Sequence, residues 1–179
     1  MKAEGTDIRV LLPADADAYR DLRLRALREH PEAFSSSFEE ARADAARWSA
    51  ERLGASPEHA TILGAVTVDG VLCGMVGVER LPREKERHKA HLYGMYVEPE
   101  HHGAGIGRRL LEAAIARCLD WRGVEQIQLS VTGGNERAHR LYASVGFERY
   151  GFEKNALKLG AHHLDKEHMV LFLDSRWGS

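Results

Sequence analysis

The stretch Tyr96-Val-Glu-Pro-Glu-His-His-Gly-Ala-Gly-Ile-Gly-Arg-Arg-Leu-Leu111 governs how the rest of this chain is read. An apolar strand ends, a turn containing Pro99 follows, and Gly103, Gly105 and Gly107 run straight into a helix. The first turn of a helix has backbone N–H groups without intrahelical partners, and its dipole favours negative charge there. Glycines let a pyrophosphate approach such a backbone closely, so the loop reads as a phosphate cradle. The competing reading is a left-handed glycine turn that only joins strand to helix.

Other phosphate loops fit the residues less well. A Walker loop needs Gly-Lys followed by Ser or Thr, whereas Gly107 is followed by Arg108 and Arg109. A dinucleotide fingerprint needs glycine at its sixth position, which is Arg108 when counted from Gly103. It also belongs to an early strand–helix turn, and this loop lies past the middle of the chain.

Reading outward, the elements alternate and no repeat or low-complexity tract appears. Ile8 to Leu12 reads as a short strand, and Pro13 opens a helix to about Glu29. Ser37 and Glu40 have capping-box spacing for a second helix reaching about Leu53. Strands over Thr61–Val68 and Val71–Glu79 flank Asp69-Gly70, a two-residue hairpin signal. A charged loop over Pro82–Lys89 leads into a strand over His91–Val97. The helix after the glycines spans about Gly105–Trp121, with Ile106, Leu110, Leu111, Ala114, Ile115 and Cys118 along one face. Ile127, Leu129 and Val131 alternate with polar residues as in a half-buried strand. Asn135–Val145 reads as helix, and Phe147–Tyr150 with His168–Leu173 supply the last strands. Together these predict a mixed α/β sheet with helices on both faces.

Composition agrees with one domain over residues 1–179: 44% of the residues are hydrophobic and the net charge is −2. The basic residues are spread rather than striped, which gives nucleic-acid binding no support. No apolar run is long enough to span a bilayer, and no secretory leader is expected near Met1. Cys73 and Cys118 sit among apolar residues and read as reduced core residues of a cytoplasmic protein.

A second motif follows about thirty residues on, Asn135-Glu-Arg-Ala-His-Arg-Leu-Tyr-Ala-Ser-Val-Gly-Phe147. With the first stretch it resembles the GNAT acetyltransferase superfamily, which transfers acyl groups from acyl-CoA to amines. The family's pyrophosphate loop is matched at Gly103-Ala104-Gly105 and Ile106-Gly107, with His102 where the family has Arg or Gln. The second motif is matched at Asn135, Ala138, Leu141, Tyr142, Gly146 and Phe147. The resemblance covers roughly residues 60 to 173 and is strongest over 92–147.

It implies a mixed, mostly antiparallel central sheet of about seven strands. It also implies that acyl-CoA enters where the strands before the two motifs part. Met95, Tyr96 and Val97 would line that splay, with the Met95 and Val97 backbones bonding the acyl carbonyl and the pantetheine amides. His102, Gly103, Ala104, Gly105, Ile106, Gly107 and Arg108 would hold the pyrophosphate, His102 donating a ring N–H. Arg109 is a further candidate for the CoA phosphates, although a solvated helix face explains both arginines equally. Asn135, Ala138 and Tyr142 complete the cofactor side. On the same resemblance the acyl donor would be acetyl-CoA, and the acetyl group would move to a primary amine by direct attack in a ternary complex.

Tyr142 matches the family's general acid; a phenol of pKa ~10 can protonate a departing thiolate at pH 7. For the base, His91 lies four residues before Met95, where a protein-lysine branch of the superfamily carries a catalytic Glu. Glu79, at the end of the preceding strand, is the second candidate. The ten histidines include no His-Glu-x-x-His, so no metal is expected. The acceptor site is expected from the first two helices and their link, where Phe34 is either a pocket wall or a core plug. The Arg83–Lys89 loop and the C-terminal hairpin would complete it. Acceptors remain open among small amines and protein amino groups, with a homodimer possible. A catalytically silent acyl-CoA-binding sensor on the same fold is the alternative, and a phosphate-binding module unrelated to CoA is the third reading.

Overall fold

The computed structural model describes residues 5–173. Strand β1 (Asp7–Val10) leads through a 3₁₀ turn into α1 (Ala16–Glu29), followed by α2 (Phe38–Ala43) and α3 (Ala45–Leu53). Then come β2 (Ala60–Val66), β3 (Leu72–Arg80), β4 (Lys89–Val97), α4 (Ile106–Asp120), β5 (Gln126–Thr132), α5 (Glu136–Ala143), β6 (Glu148–Leu159) and β7 (His162–Phe172). The seven strands form one sheet in the order β1-β2-β3-β4-β5-β7-β6. Every neighbouring pair is antiparallel except β4 and β5, which run parallel. The expected mixed, mostly antiparallel seven-stranded sheet is borne out.

Alternation along the strands creates two cores. On one face Leu63, Val76, Val78 and Leu92 pack against Leu110, Leu111 and Ile115 of α4 and Tyr142 of α5. On the other, Ile62, Met75 and Tyr96 pack against Tyr19, Leu22 and Ala26 of α1 and Leu53 of α3. The apolar face read along the α4 sequence is the buried one, from Ile106 to Cys118. Each large apolar side chain removed from water contributes about 1.5–3 kcal/mol. Cys73 and Cys118 are free and buried, and burial pushes the Cys118 thiol up to about 12. Such thiols carry no thiolate at neutral pH.

An ionic network ties α1 to the loop that follows β4. Arg25 reaches Glu98 at 2.6 Å, Glu100 at 2.7 Å and Glu29 at 2.9 Å. The Tyr96 hydroxyl donates to Glu29 at 3.2 Å. Exposed pairs stabilise little singly, but a shared guanidinium fixes the geometry of the three carboxylates.

Three local expectations are corrected. The second helix is two helices, because the chain breaks at Asp44 between α2 and α3. The hairpin loop has three residues: Thr67 N–H donates to the Val71 carbonyl, Gly70 N–H to the Thr67 carbonyl, and Gly70 is left-handed at φ 81°. Glycine supplies that conformation without a Cβ clash. The last two strands are far longer than four and six residues, at 12 and 11. Most of β6 is exposed and its pairing with β7 slips between Glu153 and Leu157, so no sustained apolar alternation announces it.

The capping box is present as read. Ser37 Oγ accepts from Glu40 N–H at 3.1 Å, and Ser37 N–H donates to the Glu40 carboxylate at 2.9 Å. Ser37→Ala is therefore expected to destabilise the protein by about 1 kcal/mol. For a chain of this size that lowers the melting temperature by roughly 2–4 °C in a calorimetric scan. An unchanged melting temperature would show that this cap adds nothing.

Candidate functional site

The site begins with a defect in β4. Gly77 of β3 pairs with Tyr93 and Met75 with Tyr96, so Gly94 and Met95 together oppose Val76 alone. Gly94 takes φ 64°, the left-handed conformation that such a bulge needs. A bulge bends its strand and sharpens its twist. Meanwhile β5 stays paired with β7 over its whole length, Gln126 to Thr132. The parallel pairing of β4 with β5 accordingly stops at His91 and Gln128, and the strands part beyond it.

The parting leaves a cavity of about 610 Å³. Met95, Tyr96 and Val97 line one side; Thr132, Gly133, Gly134 and Asn135 line the other. Its floor is the glycine loop with Arg137, Ala138 and Leu141, and His30, Glu32, Ala33 and Phe34 border its far side. Gly103 and Gly105 have φ 81° and 74°, and a Cβ on either would meet nothing within 4 Å. The space beside the loop is open, and α4 starts there with no acidic residue in its first turn and no side-chain cap. Its first intrahelical bond comes from Arg109 N–H to the Gly105 carbonyl, so the earlier N–H groups are free for an anion. Gly107 differs in purpose. A Cβ there would lie 3.3 Å from Leu141 and 3.6 Å from Met95, so this glycine lets β4, α4 and α5 approach.

Several side chains sit differently from the sequence expectation. His102 Nε2 lies 2.7 Å from the Val97 carbonyl, and Arg137 donates to His102 Nδ1. The ring N–H is thus committed to a β4 carbonyl rather than to a phosphate. Arg108 lines the cavity as expected while engaging Glu112 at 2.8 Å, whereas Arg109 reaches away to the Thr6 carbonyl at 2.8 Å. Ala104 packs against the core instead of lining the cavity. The Asn135 side chain caps α5, accepting from Ala138 N–H at 3.2 Å. The Arg83–Lys89 loop lies where β3 turns into β4 and borders neither this cavity nor the next.

Tyr142 is only 6% exposed and its ring packs edge-on against Phe147. Burial pushes its phenol well above the usual tyrosine range, and its hydroxyl has no hydrogen bond among the described residues. Its neighbours Ala138 and Leu141 line the cavity; Tyr142 itself stands just behind them. His91 and Glu79 are directly paired across β3 and β4, 3.8 Å apart, outside the cavity lining. The His91 ring, followed by the Arg52 charge, holds the Glu79 carboxyl below the usual carboxylate range.

Residues the sequence reading passed over also join the site. Gly133 and Gly134 form its second wall, and a glycine pair between strand and helix was the available signal. Arg137 is one residue inside the second motif. Phe34 is half-buried and borders both this cavity and a second one of about 370 Å³ against the β6–β7 hairpin. Ser35 ties the same link to β7 by accepting from Lys166 at 2.7 Å. Among the described residues no three His, Cys, Asp or Glu side chains converge as a metal site, and no helix is long and apolar enough to cross a membrane.

The comparisons agree with this geometry. The sequence pattern of the Acetyltransferase (GNAT) family matches residues 21–147, and the chain belongs to that family. A mycothiol acetyltransferase of Salinispora arenicola is 32% identical over 158 residues, which is 85% of this chain and 48% of the relative. The chain thus spans about half the length of such curated relatives. In fold it resembles a GNAT-family acetyltransferase from Streptococcus pneumoniae, with a TM-score of 0.80 at 22% identity over 94% of this chain and 99% of that one. It likewise resembles yncA of Salmonella typhimurium, solved with its cofactor acetyl-CoA, with a TM-score of 0.78 at 22% identity over 96% of each chain.

Gly105→Ala probes the cradle in two ways. A Cβ in the left-handed region costs about 1–2 kcal/mol of stability, visible in denaturant titration. The same methyl enters the open space beside α4, and CoA affinity measured by calorimetry is expected to fall roughly tenfold, or about 1.4 kcal/mol. Unchanged CoA affinity in a folded variant would move the cradle elsewhere.

Proposed function

We propose that this chain is an acetyl-CoA-dependent N-acetyltransferase that moves the acetyl group to a primary amine by direct attack in a ternary complex. The observation that carries the reading is the wedge between β4 and β5, which opens onto the uncapped start of α4. One end offers strand-edge backbone to the pantetheine amides. The other offers a dipole and free N–H groups to the pyrophosphate. A fixed N–H near Met95 aimed at the thioester carbonyl contributes roughly 3 kcal/mol as charge gathers on that oxygen. For Val97 to bond the pantetheine through its carbonyl, His102 must release it, and Arg137 then keeps the ring beside the phosphates.

Tyr142 serves as the acid. Its buried phenol stays protonated at physiological pH, so it holds a proton to donate and is no base; the acid role requires the charge building on sulfur to offset the raised proton affinity that burial imposes. Glu79, with its lowered pKa, is a poorer proton acceptor than a free carboxylate. His91 therefore stands ahead of it as the base, acting through water at the point where the strands part. A small amine or a protein amino group is the acceptor class, and no nucleic acid or membrane enters the reading. The exposed edge strand β6, with Tyr150 and Phe152 outward, is the surface for a homodimer. A cytoplasmic setting, where acetyl-CoA is available, belongs to the same reading.

A catalytically silent acyl-CoA-binding protein is the second reading, favoured by the position of Tyr142 behind the cavity lining. Thiol release from acetyl-CoA across a panel of amines separates the two. With the true acceptor, Tyr142→Phe is expected to lower kcat by roughly 10²–10⁴-fold. Acetyl-CoA affinity should hardly change, because the hydroxyl acts as charge builds on sulfur. Full kcat in a folded Tyr142→Phe protein would refute the acid role, and binding without any turnover would favour the silent reading.

A further inference from the structure

Two arginines on the face of the sheet opposite α4 are drawn into the structure without a carboxylate partner. Arg9, Arg20, Arg25 and Arg47 each reach a carboxylate at 2.6–2.8 Å. Arg23 of α1 is only 7% exposed, yet its guanidinium has neither an ion pair nor a hydrogen bond among the described residues. It lies over the rings of Phe34, at 5.6 Å, and Trp48, at 5.9 Å. Arg52 of α3 lies 5.0 Å from the centre of the Tyr93 ring, and its Nη1 is buried without a partner. The two are close enough that, after burial itself, the Arg52 charge lowers the proton affinity of Arg23.

Two neighbouring guanidiniums with no carboxylate bonded to either repel each other, and the buried Arg52 Nη1 has given up its hydration without a partner. The arrangement becomes favourable when an anion bridges them. Its position is also informative. Arg23 Nη1 stands 3.4 Å from where a Cβ on Gly94 would be, so it abuts the bulge whose second residue, Met95, lines the cavity. Phe34 is the shared wall between the Arg23 guanidinium and that cavity. Glu79 lies further along the same face, near enough to feel Arg52.

We propose that Arg23 and Arg52 hold the carboxylate of the acceptor, which is therefore an amino acid whose amine is directed at the bulge where the acetyl group is delivered. The inference rests on the acetyltransferase reading. In the transfer the amine nitrogen forms a bond to the thioester carbonyl carbon and the C–S bond breaks. Sulfur leaves as a thiol with the Tyr142 proton, and the nitrogen gives up its own proton to the base. The products are an N-acetyl amino acid and CoA. Planar guanidiniums match a carboxylate in two-point contact, and the aromatic rings lie against the guanidiniums themselves. Burial pushes the Tyr93 phenol up to about 12, so it remains a donor to that carboxylate. Glu79 provides the complementary charge for an ammonium group.

The test compares each of the twenty standard amino acids with its amide, by thiol release from acetyl-CoA. The preferred amino acid should exceed its amide in kcat/KM by roughly 30-fold or more, chiefly through KM. Arg23→Gln and Arg52→Gln should each erase most of that preference, lowering kcat/KM for the acid at least about tenfold more than for its amide. Amides used as well as acids by the unaltered protein would overturn the carboxylate pocket alone, a result that depends on no variant folding. Better turnover of aminomethylphosphonate than of any amino acid would reassign the pair to a phosphoryl anion and overturn it too. Failure to bind acetyl-CoA, or thiol release with no amine at all, would sink the acetyltransferase reading and this inference with it.

Discussion

Gly94 and Met95 face the single residue Val76, and the bend this imposes on β4 shapes everything functional in the molecule. A regular β4 would pair with β5 to its end and leave no wedge. The bend begins three residues after the last paired position, His91, so the split opens at mid-sheet rather than at its rim. It aims the end of β4 at the start of α4, which places three free helical N–H groups at the mouth of the cleft. It also brings the backbone at Gly94 against Arg23 on the other face, where no side chain intervenes. One irregularity therefore links the cavity to the opposite face of the sheet.

Such a split costs stability, because strand-edge groups and a helix start are left without protein partners. The surrounding structure offsets that cost. β5 is held by β7 on its outer side, β4 by β3, and the α4 stripe from Ile106 to Cys118 anchors the helix whose first turn is exposed to the cavity. The Arg25 cluster of carboxylates clamps α1 onto the loop leading to the glycines. His102 adds a bridge across the mouth, joining Val97 of β4 to Arg137 of α5. Where the family has Arg or Gln, the histidine here ties strand to helix.

The parts legible in the sequence are those with a local physical signature. The 3.6-residue stripe of α4, the Ser37 capping box and the alternation of Ile127, Leu129 and Val131 each specify an element without help from elsewhere. The three glycines at 103, 105 and 107 were read together, yet they do different things. Two provide left-handed turns beside open space and the third provides close packing, a distinction that needs the positions of Leu141 and Met95. The long β6–β7 hairpin was half missed because backbone pairing, rather than an apolar face, defines it. The bulge was invisible for a related reason: a glycine within a strand signals close approach or irregularity, but its register against Val76 is a tertiary fact. Arg23 and Arg52 escaped notice because arginines on amphipathic helices ordinarily face water. Arg23 is covered by the rings of Phe34 and Trp48 and half-buried Arg52 by that of Tyr93, rings that come from three separate segments.

The central claim is that the wedge past the β4 bulge is the acyl-CoA site, and amide hydrogen exchange followed by NMR with and without CoA tests it residue by residue. The account predicts slowed exchange at the amides of β4 beyond the bulge, Met95 to Val97, and at Ile106, Gly107 and Arg108 at the start of α4. The amides of β6 should exchange as before. Saturating CoA that leaves both groups unprotected, or protects the far side of the sheet instead, would contradict it.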